Sequence, residues 1–259
     1  MPELPDVEVF RRTIDDKAVG KTISDYTIHV RDLVGSSRQK LNEIRDHKIN
    51  STRRRGKYCF LEIKDFNWFV LHFGMTGTVS YYEKDDEEPE YSAFSFHFKG
   101  KGHLSILTKR KLGKIEICES PDGFAEENDI GKDALELSED EFLKLLDKKR
   151  GGIKGALMDQ SLLSGIGNIY SDEILFQSRL HPKKDLSKID EKKRRELFRN
   201  MNEALTKAIE VHADPDKLPE NYLLPVRDEG ESCPYCKREV KKIKVSGRGC
   251  YICPSCQKK

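Results

Sequence analysis

Nowhere in the 259 residues is there an apolar run long enough to span a bilayer, and charge begins at Glu3, where a secretory leader would need an apolar core. No internal repeat is visible, which excludes solenoid and propeller architectures. Cysteine is scarce over most of the chain. Of the seven, five crowd into the last 27 residues, leaving Cys59 and Cys118 isolated inside strand-like segments. That distribution excludes a disulfide scaffold and fits reduced thiols in an intracellular, cytoplasmic protein. Overall basicity is missing too, since the net charge is only +2. The balance is regional, however: residues 148–259 carry a net +8 and residues 1–147 a net −6. A basic half of this kind is the usual footprint of a nucleic-acid-binding module.

What is present begins at the N-terminus, Met1-Pro2-Glu3-Leu4-Pro5. Initiator Met is readily removed before proline, which would leave Pro2 as a terminal secondary amine with the carboxylate of Glu3 directly behind it. An α-amine titrates near about 8, so roughly a tenth of it is unprotonated at neutral pH, far more than for a lysine. Such an amine is a competent nucleophile toward a sugar aldehyde or an activated C1′. Many proteins begin Met-Pro by chance, so the terminus needs support from elsewhere.

That support lies at the other end. Cys233-Pro-Tyr-Cys236 and Cys253-Pro-Ser-Cys256 are two Cys-x-x-Cys pairs separated by sixteen residues, the spacing of a tetrahedral zinc ribbon. Four thiolates close the shell of one Zn2+, so the ion would be structural. Cys250 with Cys253 is a competing pair, but it shortens the intervening segment below the usual range, and Cys253 with Cys256 is preferred. Between the pairs, Val240, Ile243, Val245, Tyr251 and Ile252 flank Ser246-Gly247-Arg248-Gly249, predicting a hairpin with Arg248 at its tip, held by the zinc. From Cys233 onward the net charge is +7, which suits a phosphate partner.

Between these ends the periodicity divides the chain. Pro5 can open a helix through Val7, Phe10 and Ile14 that ends by Gly20. Segments 58–63, 68–73, 78–82, 93–98 and 104–107 read as strands, and the acidic run 83–90 as a solvated hairpin loop. Many strands and few helices predict a sandwich or barrel. Helices are expected from about Ser138, over 141–146, 153–160, 169–178 and 191–211, followed by a proline-bearing linker over 213–231. Within this region Gly165-Ile166-Gly167-Asn168 reads as two tight turns, with the glycines allowing the turn geometry, Asn168 capping the next helix, and its first N–H groups forming an anion site.

Taken together, Pro2 through Glu8, Arg55-Gly56-Lys57-Tyr58, His72 through Gly77, Gly165 through Tyr170, and Gly247-Arg248 through Gln257 resemble, in order and over nearly the whole chain, the formamidopyrimidine-DNA glycosylase / endonuclease VIII family of base-excision repair enzymes. The resemblance implies an α+β, multidomain protein: an N-terminal β-sandwich with an N-terminal helix (1–130), a helical helix–two-turn–helix domain (131–225) and a C-terminal zinc ribbon (226–259). It implies a bifunctional DNA glycosylase/AP lyase that excises oxidised or ring-opened bases through a Schiff base on Pro2, with β,δ-elimination. The partner would be double-stranded DNA containing damaged bases or abasic sites, bound by a monomer. Glu3 fits the family's proton-transfer carboxylate, and Lys57 the lysine on the phosphate beside the lesion. Asn168, Arg248 and Lys154 resemble the rest of the phosphate clamp, and Met75 fills the gap left by the extruded base. Asp6 stands where the family usually has Glu, with the same charge and a shorter reach. Thr108-Lys109-Arg110-Lys111-Leu112-Gly113 departs from the usual Asp-Pro-Arg-Arg-Phe-Gly: Arg110 keeps the contact to the orphaned base, and Leu112 replaces the phenyl wedge. The linker before Cys233 also lacks the family's glycine-rich segment that closes over 8-oxoguanine, which favours ring-opened purines and oxidised pyrimidines. A non-catalytic damaged-DNA binder using the same clamp and ribbon is the alternative, and it gives no reason for Pro2-Glu3. A zinc-ribbon RNA factor is a more distant one, without a use for Met75 or Lys57.

Overall fold

A computed structural model describes residues 1–84 and 87–258; Asp85 and Asp86 of the expected acidic loop, and Lys259 at the end of the expected ribbon, lie outside the described residues. The chain forms two compact units, Met1–Pro2 with Asp6–Asp129, and Glu3–Pro5 with Ile130–Lys259. No helix is long and apolar enough to cross a membrane among the described residues.

The first unit is a β-sandwich. Helix α1 (Leu4–Ala18) leads into β1 (Ile23–Ile28), a short α2 (Arg38–Asn42), then β2 (Ile49–Arg55), β3 (Tyr58–Ile63), β4 (Trp68–His72), β5 (Gly77–Tyr82), β6 (Ser92–Phe98), β7 (His103–Thr108), β8 (Lys114–Cys118) and α3 (Pro121–Glu127). Two antiparallel sheets result, ordered β1-β6-β7-β5 and β2-β3-β4-β8. Alternation builds the core between them: Phe94, Phe96 and Phe98 of β6 face Phe69 and Leu71 of β4, all buried, with the Phe69 and Phe96 ring centroids 5.2 Å apart. Residues Phe60 and Val70 point to the other face and are buried as well. There α3 covers Phe60 with Phe124, helped by an N-cap from Ser120 and a proline in its first turn.

Strand β2 is the element with least apolar signal, Ile-Asn-Ser-Thr-Arg-Arg-Arg, with only Ile49 fully buried. It is an edge strand, and its charge is compensated on α1: Glu8 takes Arg11, Arg12 and Arg54, while Thr52 bonds both Arg11 and Asp15. Burial opposes the charge on Glu8, but hydrogen bonds from Arg11 and Arg12 outweigh it and hold the carboxyl at about 2. In the core, Cys59 is wholly buried, which raises its thiol and makes it a small apolar residue.

The second unit is helical with a ribbon. Two short strands, β9 (Lys132–Asp133) and β10 (Leu163–Ser164), pair in parallel around α4 (Glu139–Asp147) and α5 (Ile153–Leu157). Then come α6 (Asn168–Gln177), α7 (Glu191–Glu210) and the hairpin β11 (Lys241–Val245) with β12 (Arg248–Ile252). A capping box between Ser138 and Glu141 opens α4. Helix α5 stops at Leu157, short of the expected Gln160, because Asp159 turns its carboxylate onto the N–H and hydroxyl of Ser161 and onto Lys149. Helix α6 is buried on every side from Tyr170 to Phe176, so its Ser171, Asp172 and Glu173 are buried along with its apolar residues. The sandwich, the helical region and the four-cysteine ribbon expected from the sequence are all present.

Candidate functional site

In the first unit, two adjoining loops gather three of the candidate residues. The turn between β4 and β5 carries Met75, and the turn between β7 and β8 carries Arg110 and Leu112. A Cβ on Gly74 would lie 2.4 Å from the Leu112 carbonyl oxygen, so the loops pack backbone to backbone. Thr76, which sequence reasoning missed, accepts from the Arg110 N–H at 3.2 Å. Met75 and Leu112 are left 43% and 49% exposed, so these adjoining loops present two of the five large apolar residues most exposed among the described residues. Lys57 occupies the two-residue turn Gly56-Lys57 between β2 and β3, is 7% exposed, and with Lys114 helps burial hold His72 below the usual imidazole range. Pro2 is half-buried.

In the second unit, Glu3 is 2% exposed and its carboxylate caps α6. Its Oε2 accepts from the N–H of Gly167 at 2.7 Å and of Tyr170 at 3.1 Å, and Oε1 from Ile169 at 2.8 Å. The anion site expected at this helix start is therefore filled by the chain's own Glu3, where donor groups and helix dipole favour negative charge. This corrects two expectations. Asn168 does not cap α6; the cap position is Gly167, and Asn168 is the first helical residue. The two glycines also differ in purpose. Gly165 has φ +114°, a turn conformation, whereas Gly167 has an ordinary extended backbone and is needed because a Cβ there would lie 2.4 Å from the Glu3 carboxyl.

Asn168 instead donates from Nδ2 to the Gly249 carbonyl at 2.9 Å, leaving the second hydrogen of that amide for another acceptor. The hairpin turn is Ser246-Gly247, both at positive φ, so Arg248 pairs with Val245 and opens β12 beside the tip. The longer turn expected from the sequence gives way to a two-residue primed turn, whose twist matches the strands. Arg248 is exposed. Lys154 is placed otherwise than expected. It is 1% exposed, and its three N–H groups are taken by Asp172, by the Ser171 hydroxyl at 2.9 Å and by the Asn168 carbonyl at 3.2 Å. As it stands it faces no external phosphate.

Beside Asp172, Glu173 accepts from the N–H groups of Leu223 and Leu224 and from Gln177, yet burial pushes its carboxyl up to about 7. Neither acid carried a local motif. The available signal was two adjacent carboxylates in a helix whose polar residues are not gathered on a single solvent face.

Among the described residues, Cys233, Cys236, Cys253 and Cys256 form the one group able to hold a metal ion, with all four Sγ atoms within 4.8 Å of one another. The Cys233–Cys256 and Cys236–Cys253 separations are 3.9 and 3.4 Å, close to the edge of a tetrahedron of thiolates around one ion, about 3.8 Å. Cys250 stands apart, its Sγ donating to Asp172 at 2.9 Å, so the preferred pairing is the one the structure assembles. Gln257, buried, ties the second pair down by accepting from the Cys253 N–H and donating to the Leu180 carbonyl.

With that geometry in hand, comparison with known proteins is direct. The sequence matches the formamidopyrimidine-DNA glycosylase N-terminal domain over residues 1–115 and the formamidopyrimidine-DNA glycosylase H2TH domain over residues 130–218. It is 34% identical to a formamidopyrimidine-DNA glycosylase of Lactobacillus acidophilus, covering 99% of each chain. The fold is similar to that of the Lactococcus lactis enzyme complexed with FAPY-dG-containing DNA, at TM-score 0.90 and 29% identity over 99% of this chain and 100% of that one. The same Lactococcus lactis protein with abasic-site DNA gives TM-score 0.89 and 29% identity over 99% and 100%. The chain belongs to the formamidopyrimidine-DNA glycosylase family.

Proposed function

We propose that this DNA glycosylase is bifunctional, removing a damaged base and then cutting the strand at the resulting abasic site, with Pro2 as nucleophile once Met1 is removed. The Pro2 nitrogen attacks C1′ of a nucleotide rotated out of the duplex, and the base departs as the N-glycosidic bond breaks. Opening of the sugar gives an iminium, which a secondary amine forms without losing a second proton. That cation acidifies the C2′ hydrogen. Its removal expels the 3′ phosphate, a second elimination expels the 5′ phosphate, and water releases the sugar remnant and restores the amine. Glu3 serves the proton transfers to the opening sugar oxygen and the leaving base.

The observation that carries this reading is Glu3 itself. It is bonded in sequence to the nucleophile and fixed by three backbone N–H groups, so its orientation is set before DNA arrives. Lys57, Asn168 and Arg248 are assigned to phosphates, Met75 and Leu112 to the space vacated by the extruded base, and Arg110 to the orphaned base. Lys154 is left out of the phosphate set. The protein acts as a monomer on duplex DNA, wherever the cell keeps it, and its parts divide near residues 130 and 225. Ring-opened purines and oxidised pyrimidines rank ahead of 8-oxoguanine, because only Arg227–Ser232 separates the last turn of the linker, Leu224–Val226, from Cys233. The four thiolates are assigned to Zn2+, which suits an all-sulfur tetrahedral set and supplies no step of the reaction.

Borohydride reduction on abasic-site duplex is the test. A covalent adduct mapping to Pro2 is expected. Trapping at an internal lysine, or undiminished trapping when the terminus is blocked, would remove the mechanism.

A further inference from the structure

One face of α6 grips one strand of the hairpin. Asn168 and Asp172, at i and i+4, project from the same side of the helix. Asn168 bonds the Gly249 carbonyl, and Asp172 accepts from the Cys250 thiol at 2.9 Å and the Tyr251 N–H at 3.2 Å. Three consecutive residues of β12 are thereby fixed to the helix, one residue beyond Arg248. None of these bonds passes through the four-cysteine cluster.

Asp172 has no exposed side chain and is saturated with donors. Lys154 reaches Oδ1, and Arg227 places Nε and Nη2 on Oδ2 at 2.9 and 2.7 Å. Arg227 also lies over the Tyr251 ring, 4.6 Å from its centroid, closing the arrangement onto the same strand. An apolar contact would hold the hairpin without fixing where it sits along the helix. A buried carboxylate is strongly unfavourable unless each partner is in place, so it accepts a single register.

We infer that Asp172 is a positioning residue of the DNA clamp: it sets β12 on α6 so that Arg248 and Asn168 engage the phosphate backbone together. This rests on the assignment of Arg248 to a phosphate made above. Lys154 and Arg227 belong to the same device, as the cations that make the buried carboxylate tolerable. A residue serving only to stabilise the fold would change melting temperature, not the way Arg248 contributes to binding.

The measurement is affinity for a duplex bearing a non-cleavable abasic-site analogue, over a range of salt, for full-length zinc-loaded protein. Asp172→Asn should weaken binding about tenfold and flatten the salt dependence by about one unit of slope, as the loss of one phosphate contact does. Arg248→Ala should do the same, and the double variant should bind no worse than Arg248→Ala alone, because both remove one contact. Losses that add in full, or an unchanged slope in Asp172→Asn, would overturn the inference. If Asp172→Asn does not fold by circular dichroism, Cys250→Val carries the test, since it removes one bond to Asp172 and keeps the charges. A lower slope there supports the inference, and wild-type binding overturns it. Wild-type affinity in Arg248→Ala would instead withdraw Arg248 from the clamp, and the inference with it.

Discussion

Gly167 donates its N–H to the Glu3 carboxylate, and a Cβ in its place would lie 2.4 Å from the carboxyl carbon. The two residues are 164 apart in the chain, yet the glycine is absent of side chain because the glutamate is there. Glu3 therefore caps α6 and, in the proposed mechanism, also serves proton transfer, so replacing Glu3 itself would remove both.

Gly167→Ala separates them. The added methyl must push the carboxylate away while leaving Pro2 and Glu3 chemically intact. Loss of the cap should lower stability by about 1–3 kcal/mol, the cost of leaving buried backbone donors unpaired. The rate of borohydride-trapped adduct formation should fall by about tenfold or more, as misplacement of a positioned group does. A folded Gly167→Ala protein that traps abasic DNA at the wild-type rate would show that Glu3 need not be fixed on α6.

How far the sequence could lead is clear from particular residues. Phe94, Phe96 and Phe98 alternate, and their strand was legible from that alone. β2 was not, because Arg53, Arg54 and Arg55 carry no alternation and depend on Glu8 and Asp122, which lie far away in sequence. The set of four converging cysteines could be chosen by spacing, since that constraint is local. Glu3 can be picked out from its neighbour Pro2, but its partners cannot, and Lys154 resembles a phosphate-clamp residue in sequence while its partner Asp172 lies inside the unit. Arg248 lies one position beyond the expected tip, because a primed two-residue turn depends on backbone twist as much as on glycine.

Acid sensitivity should trace to Glu8. Its carboxyl sits at about 2 in the folded protein against the ordinary 4.5, so the stability it contributes is present above about 4.5 and is lost as pH falls toward 2. A lowering of this size corresponds to on the order of 3 kcal/mol. Urea unfolding of wild type at pH 6, 4 and 3 should show a decline that Glu8→Gln, already weaker at pH 6, lacks over the same range. Parallel declines in the two proteins would assign the acid sensitivity to other carboxylates.

Metal content should follow the cluster and ignore Cys250. Cys236→Ser and Cys256→Ser each remove one of the four converging sulfurs and should release one equivalent of zinc. Cys250→Ser should keep it, because that side chain is turned to Asp172, and a hydroxyl can still donate there. Structural zinc contributes on the order of 10 kcal/mol to its own small module, so the knuckles around Cys236 and Cys256 should lose their shape. The two larger cores, which include no cysteine ligand, should stay folded. β12 keeps its bonds to Asn168 and Asp172 in these variants, so DNA binding should drop while some dependence on Arg248 survives. Metal analysis of the three proteins decides the assignment: zinc lost from Cys250→Ser and retained in Cys256→Ser would mean that the fourth ligand is Cys250.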